Sequence, residues 1–261
     1  MRPLVNLLGP RPMQRLVKRT AALLAALAAP LAMAAQLSVL SAGAVEPALV
    51  PALAAFERAS GHGVSLAFAT APRIRERILA GEVFDVVIAP PAVLDDLALA
   101  GKVSGARVSL GRVGIGVAVR ADAPVPEIGD AQSFKRALLD ADSLVYNRAS
   151  TGLYFEGLLV RLGIDTQLQA KTTRHADGAS VVEHVRTGRG REIGIGAITE
   201  IMLFRDKGVR LVGPLPAELQ NYTTYVAIAM PRPDAPADHA QALLAHLRAG
   251  SAAFAAAGIE P

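Results

Sequence analysis

Leu144-Val145-Tyr146-Asn147-Arg148-Ala149-Ser150-Thr151-Gly152 is the stretch that decides the fold. An apolar run ends at Tyr146, a polar loop follows, and apolar side chains return at helical spacing from Leu153 to Gly163. Ser150 reads as an N-cap, so the pattern predicts a helix whose first N–H groups and positive dipole end are open to an anion. Arg148, just ahead of that cap, adds a planar donor fork suited to a carboxylate. Taken alone, an ordinary strand–loop–helix connection with a solvated arginine would read the same way. Recurrence of the pattern along the chain favours the anion reading.

Working outward, Gln36-Leu-Ser-Val-Leu-Ser41 reads as a strand. Ala42-Gly43-Ala44 reads as a tight turn into a helix from about Val45 to Ala59, with Pro47 where a missing N–H does no harm. His62, between two glycines, is expected to be solvated. Val64 to Phe68 is the next strand, followed by a helix opened by Thr70, Ala71, Pro72 and Arg73. Arg73 and Arg75 oppose the macrodipole there, at a cost of about 0.3–1 kcal/mol each. A bound anion would offset that cost, and Arg73 is the better placed. Phe84-Asp-Val-Val-Ile-Ala89 is continuously apolar apart from Asp85, as in a buried parallel strand, and Pro90-Pro91 starts a helix to about Ala100. Strand–helix alternation of this kind means βαβ units and a parallel sheet.

Gly111 to Arg120 breaks the rhythm: a glycine-dotted strand with no helix after it. A dinucleotide fingerprint needs a helix N-terminus at that point, so the motif is rejected in favour of a strand passing between lobes. Beyond it a helix is expected from about Ala131 to Asp140, and a strand near Leu168–Thr172. A helix capped by Asp177 should run to Thr187, then a strand Glu192–Gly196 and a short helix from Ala197. Val209–Gly213 and Tyr222–Ala229 read as strands, the latter returning to the first lobe. Ala235–Ala257 reads as a closing helical segment.

Composition narrows the function classes. Residues 1–34 carry a basic start (Arg15, Lys18, Arg19), an apolar run Ala21–Leu31 and a small-x-small end Ala32-Met33-Ala34. That is the pattern of a cleaved secretory signal peptide, too short in its apolar part to span a membrane. Removing it takes five of the 27 cations and none of the 23 acids. The remainder is close to neutral, so no nucleic-acid partner is expected. No cysteine is present, which excludes disulfides and thiolate metal sites. No cofactor and no metal is expected. Export to a bacterial periplasm is the expected location.

The mature sequence resembles the periplasmic molybdate-binding protein family. The resemblance rests on Val39–Ala44, Phe68-Ala-Thr-Ala71 leading to Ile78-Leu-Ala-Gly81, and Phe84–Ala89, continuing through Thr151-Gly-Leu-Tyr154 and Glu192-Ile-Gly-Ile195. It implies an α/β, two-lobed type II periplasmic binding protein fold. Each lobe would be a mixed, mostly parallel sheet flanked by helices, with two crossover strands. The lobes would be residues 35–115 plus 226–261, and 116–225. It further implies a monomer, and an ABC transporter permease as possible partner.

Such proteins hold a tetrahedral oxyanion with serine hydroxyls, backbone N–H groups and a tyrosine. By this resemblance the serines fall on Ala44 and near Ala71, the backbone donors on Thr151 and Ala179, and the tyrosine on Ala197. Losing donors from a buried oxyanion site costs about 1–3 kcal/mol each. In their place the sequence offers Arg73, Arg148 and Arg174, which suit planar carboxylates. The expected ligand-binding set is therefore Gly43, Ala44, Thr70, Ala71, Arg73, Arg148, Ser150, Thr151, Ala179 and Ala197, facing a small organic polycarboxylate.

Two functions fit. One is a transport receptor for molybdate or another small anion. The other is that of an exported offshoot of the same family, aconitate isomerase, which interconverts trans- and cis-aconitate by moving an allylic proton. That chemistry needs a base and cations for enolate-like charge. Glu46, Tyr154, His175 and Glu200 lie near suitable loop ends. Each also has a simpler role, Glu200 as an ion-pair partner of Arg205 or another arginine nearby. The isomerase is the preferred reading. Hydrolase chemistry is disfavoured, because no Gly-x-Ser-x-Gly occurs and His175 and His184 lack metal-pair spacing.

Overall fold

The computed structural model describes residues 35–231 and 237–261, so the signal-peptide reading lies outside the described residues. The first half alternates as expected: β1 (Gln36–Ala42), a 3-10 turn (Gly43–Val45), α1 (Glu46–Ser60), β2 (Gly63–Ala69), α2 (Ala71–Leu79), β3 (Val86–Ala89) and α3 (Pro91–Leu99). β3 is shorter than its apolar run. Asp85, just before it, still bonds through its backbone to Ser38 and Met230, and its carboxylate accepts from the N–H and the hydroxyl of Ser38 at 2.7 Å each.

β4 (Arg107–Arg120) is a long strand, followed by α4 (Ala131–Asp140), β5 (Ser143–Asn147) and α5 (Ser150–Leu162). Next come α6 (Asp165–Leu168), a 3-10 turn (Gln169–Lys171), β6 (Thr172–His175) and α7 (Gly178–Thr187). The strand expected near Leu168–Thr172 therefore lies later. Leu168 is buried at the end of a helical turn, so its apolarity marks a core contact rather than a strand. β7 (Glu192–Ala197), α8 (Ile198–Met202), β8 (Val209–Pro214) and β9 (Tyr222–Ala229) follow. The closing segment is two helices, α9 (Ala237–Ala249) and α10 (Ser251–Ala256), divided at Gly250.

The strands form one curled sheet in the order β2-β1-β3-β9-β4-β7-β5-β6, with β8 also on β4. β1 pairs in parallel with β2 and β3, and β5 in parallel with β6 and β7. β9 and β4 join these two groups through antiparallel ladders. β4 supplies Val108, Leu110 and Val113 to one hydrophobic core, around Leu40, Val87 and Leu243. It supplies Ile115, Val117 and Val119 to another, around Phe134, Leu144 and Phe155. This is the two-lobed type II arrangement.

The glycines of β4 serve packing. Gly111 has φ 114°, and a Cβ there would collide with the backbone of Glu260. That close approach lets Glu260 exchange hydrogen bonds with Arg112 and pin the C-terminus to the sheet. His62 is not merely solvated: its Nδ1 faces the N–H of Ala35 at 3.3 Å.

Candidate functional site

Parallel strands end on one side, and helices begin there. Ligands of open α/β sheets bind outside the carboxyl ends of strands, and a cleft of about 900 Å³ opens at that place. Its walls are the turn after β1, the starts of α2, α5 and α7, the end of β7 with α8, and Tyr225 of β9. The volume lies within the roughly 300–1,000 Å³ usual for small-molecule sites.

The start of α5 is built differently from the sequence reading. Ser150 is the first helical residue and not the cap; Ala149 occupies the cap position, with no side-chain cap of its own. Asn147, still on the strand, does that work: its Oδ1 accepts from the N–H groups of Ala149 and Gly152, both at 3.0 Å. Gly152 is required, because a Cβ would overlap the Asn147 carbonyl. The N–H groups of Ser150 and Thr151 are thus left at the cleft. In α7, Asp177 caps as expected, accepting from Ser180 N at 2.8 Å, and Gly178 and Ala179 line the cleft. Thr70 occupies the cap position of α2, again without a side-chain cap bond.

Of the expected residues, Gly43, Ala44, Glu46, Thr70, Ala71, Arg73, Arg148, Ser150, Thr151, Ala179 and Ala197 all border the cleft. Arg148 makes no side-chain hydrogen bond or ion pair among the described residues; only its backbone N–H is engaged, on the His175 carbonyl at 2.9 Å. Arg73 reaches Glu76 at 2.9 Å, whereas Arg75 turns to Asp96. Arg174 stands elsewhere, paired with Glu156 at 2.6 Å, and is withdrawn as a ligand. Arg77 and Lys207, unforeseen from sequence, add cationic side chains to the rim.

Two candidate bases, Tyr154 and His175, do not line the cleft. The Tyr154 hydroxyl donates to the Leu219 carbonyl at 3.0 Å and lies under Arg161, away from the cleft. His175 faces His184, ring nitrogen to ring nitrogen at 2.9 Å. That pair closes a chain to Glu192 and Ser143 inside the second lobe, reached by folding rather than by helical spacing.

Four carboxyls line the cleft, those of Glu46, Glu76, Asp177 and Glu200. Glu200 is the one whose pKa is raised, and among the described residues it forms no ion pair with Arg205. It is the third residue of α8, where an acidic side chain reaches back to the cap N–H of Ala197. The Thr199 hydroxyl, donating to the Ala44 carbonyl at 2.6 Å, ties that short helix to the turn after β1. A Cβ on Gly43 would stand 3.0 Å from Glu200 Oε1, and one on Gly178 would overlap Oε2. Two glycines therefore make the slot in which the carboxyl sits.

Desolvation first, then the charges of Asp177 and Glu46, raise the Glu200 pKa to about 7, and the Ala197 N–H only partly opposes this. Tyr225, 4% exposed, has its phenol pushed upward by burial and by Glu200. A carboxyl pushed up to about 7, in the same cleft as the Arg148 guanidinium and open backbone N–H groups, can exchange a proton with a bound anion. Tyr225 was readable only as a strand residue, since nothing in the alternation of β9 marks where that strand crosses the cleft.

Residues 37–260 match a family described as bacterial extracellular solute-binding protein. An aconitate isomerase from a Pseudomonas species is 32% identical over 234 residues, spanning 86% of this chain and 87% of that protein. The periplasmic molybdate-binding protein of Azotobacter vinelandii superposes with TM-score 0.70 at 18% identity, covering 85% of this chain and 97% of that one. The sulfate-binding protein SubI from Mycobacterium tuberculosis gives TM-score 0.67 at 18% identity, with 87% of each chain covered. At those identities the two structures speak for the fold alone.

Proposed function

The chain belongs to the bacterial extracellular solute-binding protein family, and within it we propose an exported enzyme, an aconitate isomerase, acting on a small organic polycarboxylate. The observation that carries the reading is Glu200, slotted between Gly43 and Gly178 with a pKa near 7 at the wall of an arginine-bearing cleft. A receptor that only held an anion would gain nothing from a carboxyl group facing it. A proton-transfer enzyme needs one, with a pKa close to working pH.

In this reading Arg148, Arg73 and the N–H groups of Ser150, Thr151 and Ala179 hold the substrate carboxylates. Glu200, ionised, removes a proton from the methylene carbon next to the double bond. The electron pair moves through the allylic system, stabilised as enolate-like charge by the cations. Glu200 then returns the proton at the former vinyl carbon, leaving the double bond transposed and the enzyme unchanged. Glu46 and Asp177 keep Glu200 from being too weak a base. The leader is cleaved after Ala34 and the protein works in the periplasm as a monomer.

A transport receptor for molybdate or a related small anion, delivering to an ABC permease, is the second reading. It is favoured by the open N–H groups at the starts of α5 and α7, which suit any anion. Thermal-shift screening against molybdate, sulfate, citrate and both aconitates separates the two. The isomerase reading expects stabilisation by the carboxylates, and NMR-detected conversion of trans-aconitate that is lost in Arg148→Ala. A molybdate response without a carboxylate response contradicts it. Carboxylate binding without turnover assigns the receptor.

A further inference from the structure

Three of the chain's five histidines lie together near the start of β1: His62 and His246 pack on Phe56, and His239 packs on His62. His62 stands on the turn between α1 and β2, its Nδ1 3.3 Å from the backbone nitrogen of Ala35. The His239 ring, from α9, lies edge-on to it at 4.3 Å between centroids. His246 is turned away, bonded to the Ala52 carbonyl at 3.0 Å, and packs on the Phe56 ring beneath His62. Ala35 is held too: its carbonyl accepts from Gly63 N at 2.9 Å, and Gln36 next to it pairs with Gly63 in the β1–β2 ladder.

Ala35 is also the residue that follows the small-x-small end of the leader. Cleavage there converts this nitrogen from an amide, which cannot ligate as a neutral donor, into a primary amine, which can. We propose that the mature amino terminus, His62 and His239 form a nitrogen-donor site for one divalent transition metal of the copper–nickel–zinc class. The proposal rests on cleavage after Ala34 and is independent of what the cleft binds.

The spacing suits the role. Two cis nitrogens bound to one metal at about 2.0–2.1 Å lie about 3 Å apart, close to the 3.3 Å between Ala35 N and His62 Nδ1. Imidazole and amine donors without thiolate or carboxylate favour copper most strongly in the divalent series. Among the described residues no group of three or more His, Cys, Asp or Glu gathers to hold a metal. The amine is therefore the donor that completes this one, and processing creates the site. Binding displaces a proton from the ammonium, so affinity falls as pH falls.

The test uses mature protein from the periplasm, with the Ala35 terminus verified by intact mass. Cu(II) is titrated against glycine as competitor and followed by EPR. The expected result is one equivalent bound with nitrogen hyperfine structure. Affinity should fall in His62→Ala and in His239→Ala by more than the roughly 10–100-fold that loss of an outer-shell partner costs. It should fall equally in a chain with Gly-Ser added ahead of Ala35, which leaves every side chain in place. Unchanged binding in the extended chain or in His62→Ala overturns the proposal. So does a mature terminus other than Ala35, since the donor set then lacks its amine, and neither result touches the isomerase reading.

Discussion

Burial and the carboxylates of Asp177 and Glu46 keep Glu200 protonated to about pH 7, against an ordinary value of 4.5. Because the folded value is raised, the stability tied to this proton is fully present below about pH 4.5. It is lost as pH rises through about 7. Glu200→Gln removes the titration, and chemical denaturation should find it close to wild type at pH 4.5. At pH 8 it should be more stable by about 1–3 kcal/mol, the upper end being the full shift and the lower allowing for partial exposure. Gain of stability with loss of turnover is the mark of a group retained for function. Gly178→Ala tests the slot from the other side. The added methyl overlaps the carboxyl, so turnover should drop at least tenfold while circular dichroism at 25 °C stays unchanged. Glu200 was legible as one candidate among several. What the sequence could not display is the pair of glycines, Gly43 and Gly178, that admit it.

Elements place the donors. Asn147 caps α5 from the strand that precedes it, and its replacement by Ala should cost about 0.5–2 kcal/mol, read as a lowered Tm. It should also weaken anion binding, because the N–H groups of Ser150 and Thr151 lose their fixed direction. Ser150→Ala, by contrast, should leave Tm nearly unchanged, since no cap bond is lost. Sequence reading chose Ser150 because serine is a favoured cap and stands where the apolar period resumes. It missed Asn147 because that residue lies in the ladder, paired with His175, where a capping role is not expected. The same local logic worked at Asp177, whose cap bond to Ser180 is formed within the helix's own first turn. Motifs that close within four residues were readable. Those that borrow a residue from a neighbouring element were not.

At the scale of the molecule, β3 and β5 were legible as unbroken apolar runs, because parallel strands are buried on both faces, and β4 was legible as a crossover because no helix follows it. The order of strands in the sheet and the place of the polar strand β6 were not. The cleft did not follow from any run. It is made where β1, β2, β5 and β7 all stop, and residues more than a hundred positions apart, such as Ala44 and Thr199, are joined there. A ligand bound in it stabilises the whole fold by mass action, about 2.7 kcal/mol at a hundred times Kd. Scanning calorimetry should therefore show trans-aconitate raising the Tm of wild type, and Arg148→Ala should need more ligand for the same shift. The central claim is that Glu200 moves the proton. Its most direct test is kcat/KM for trans-aconitate from pH 5 to 9, in wild type and Glu200→Gln. The account predicts a wild-type rate that climbs through about pH 7 to a plateau, and a variant slower by roughly 100-fold or more at every pH. A variant that keeps the wild-type rate, or a wild-type profile with no rise near pH 7, would contradict it.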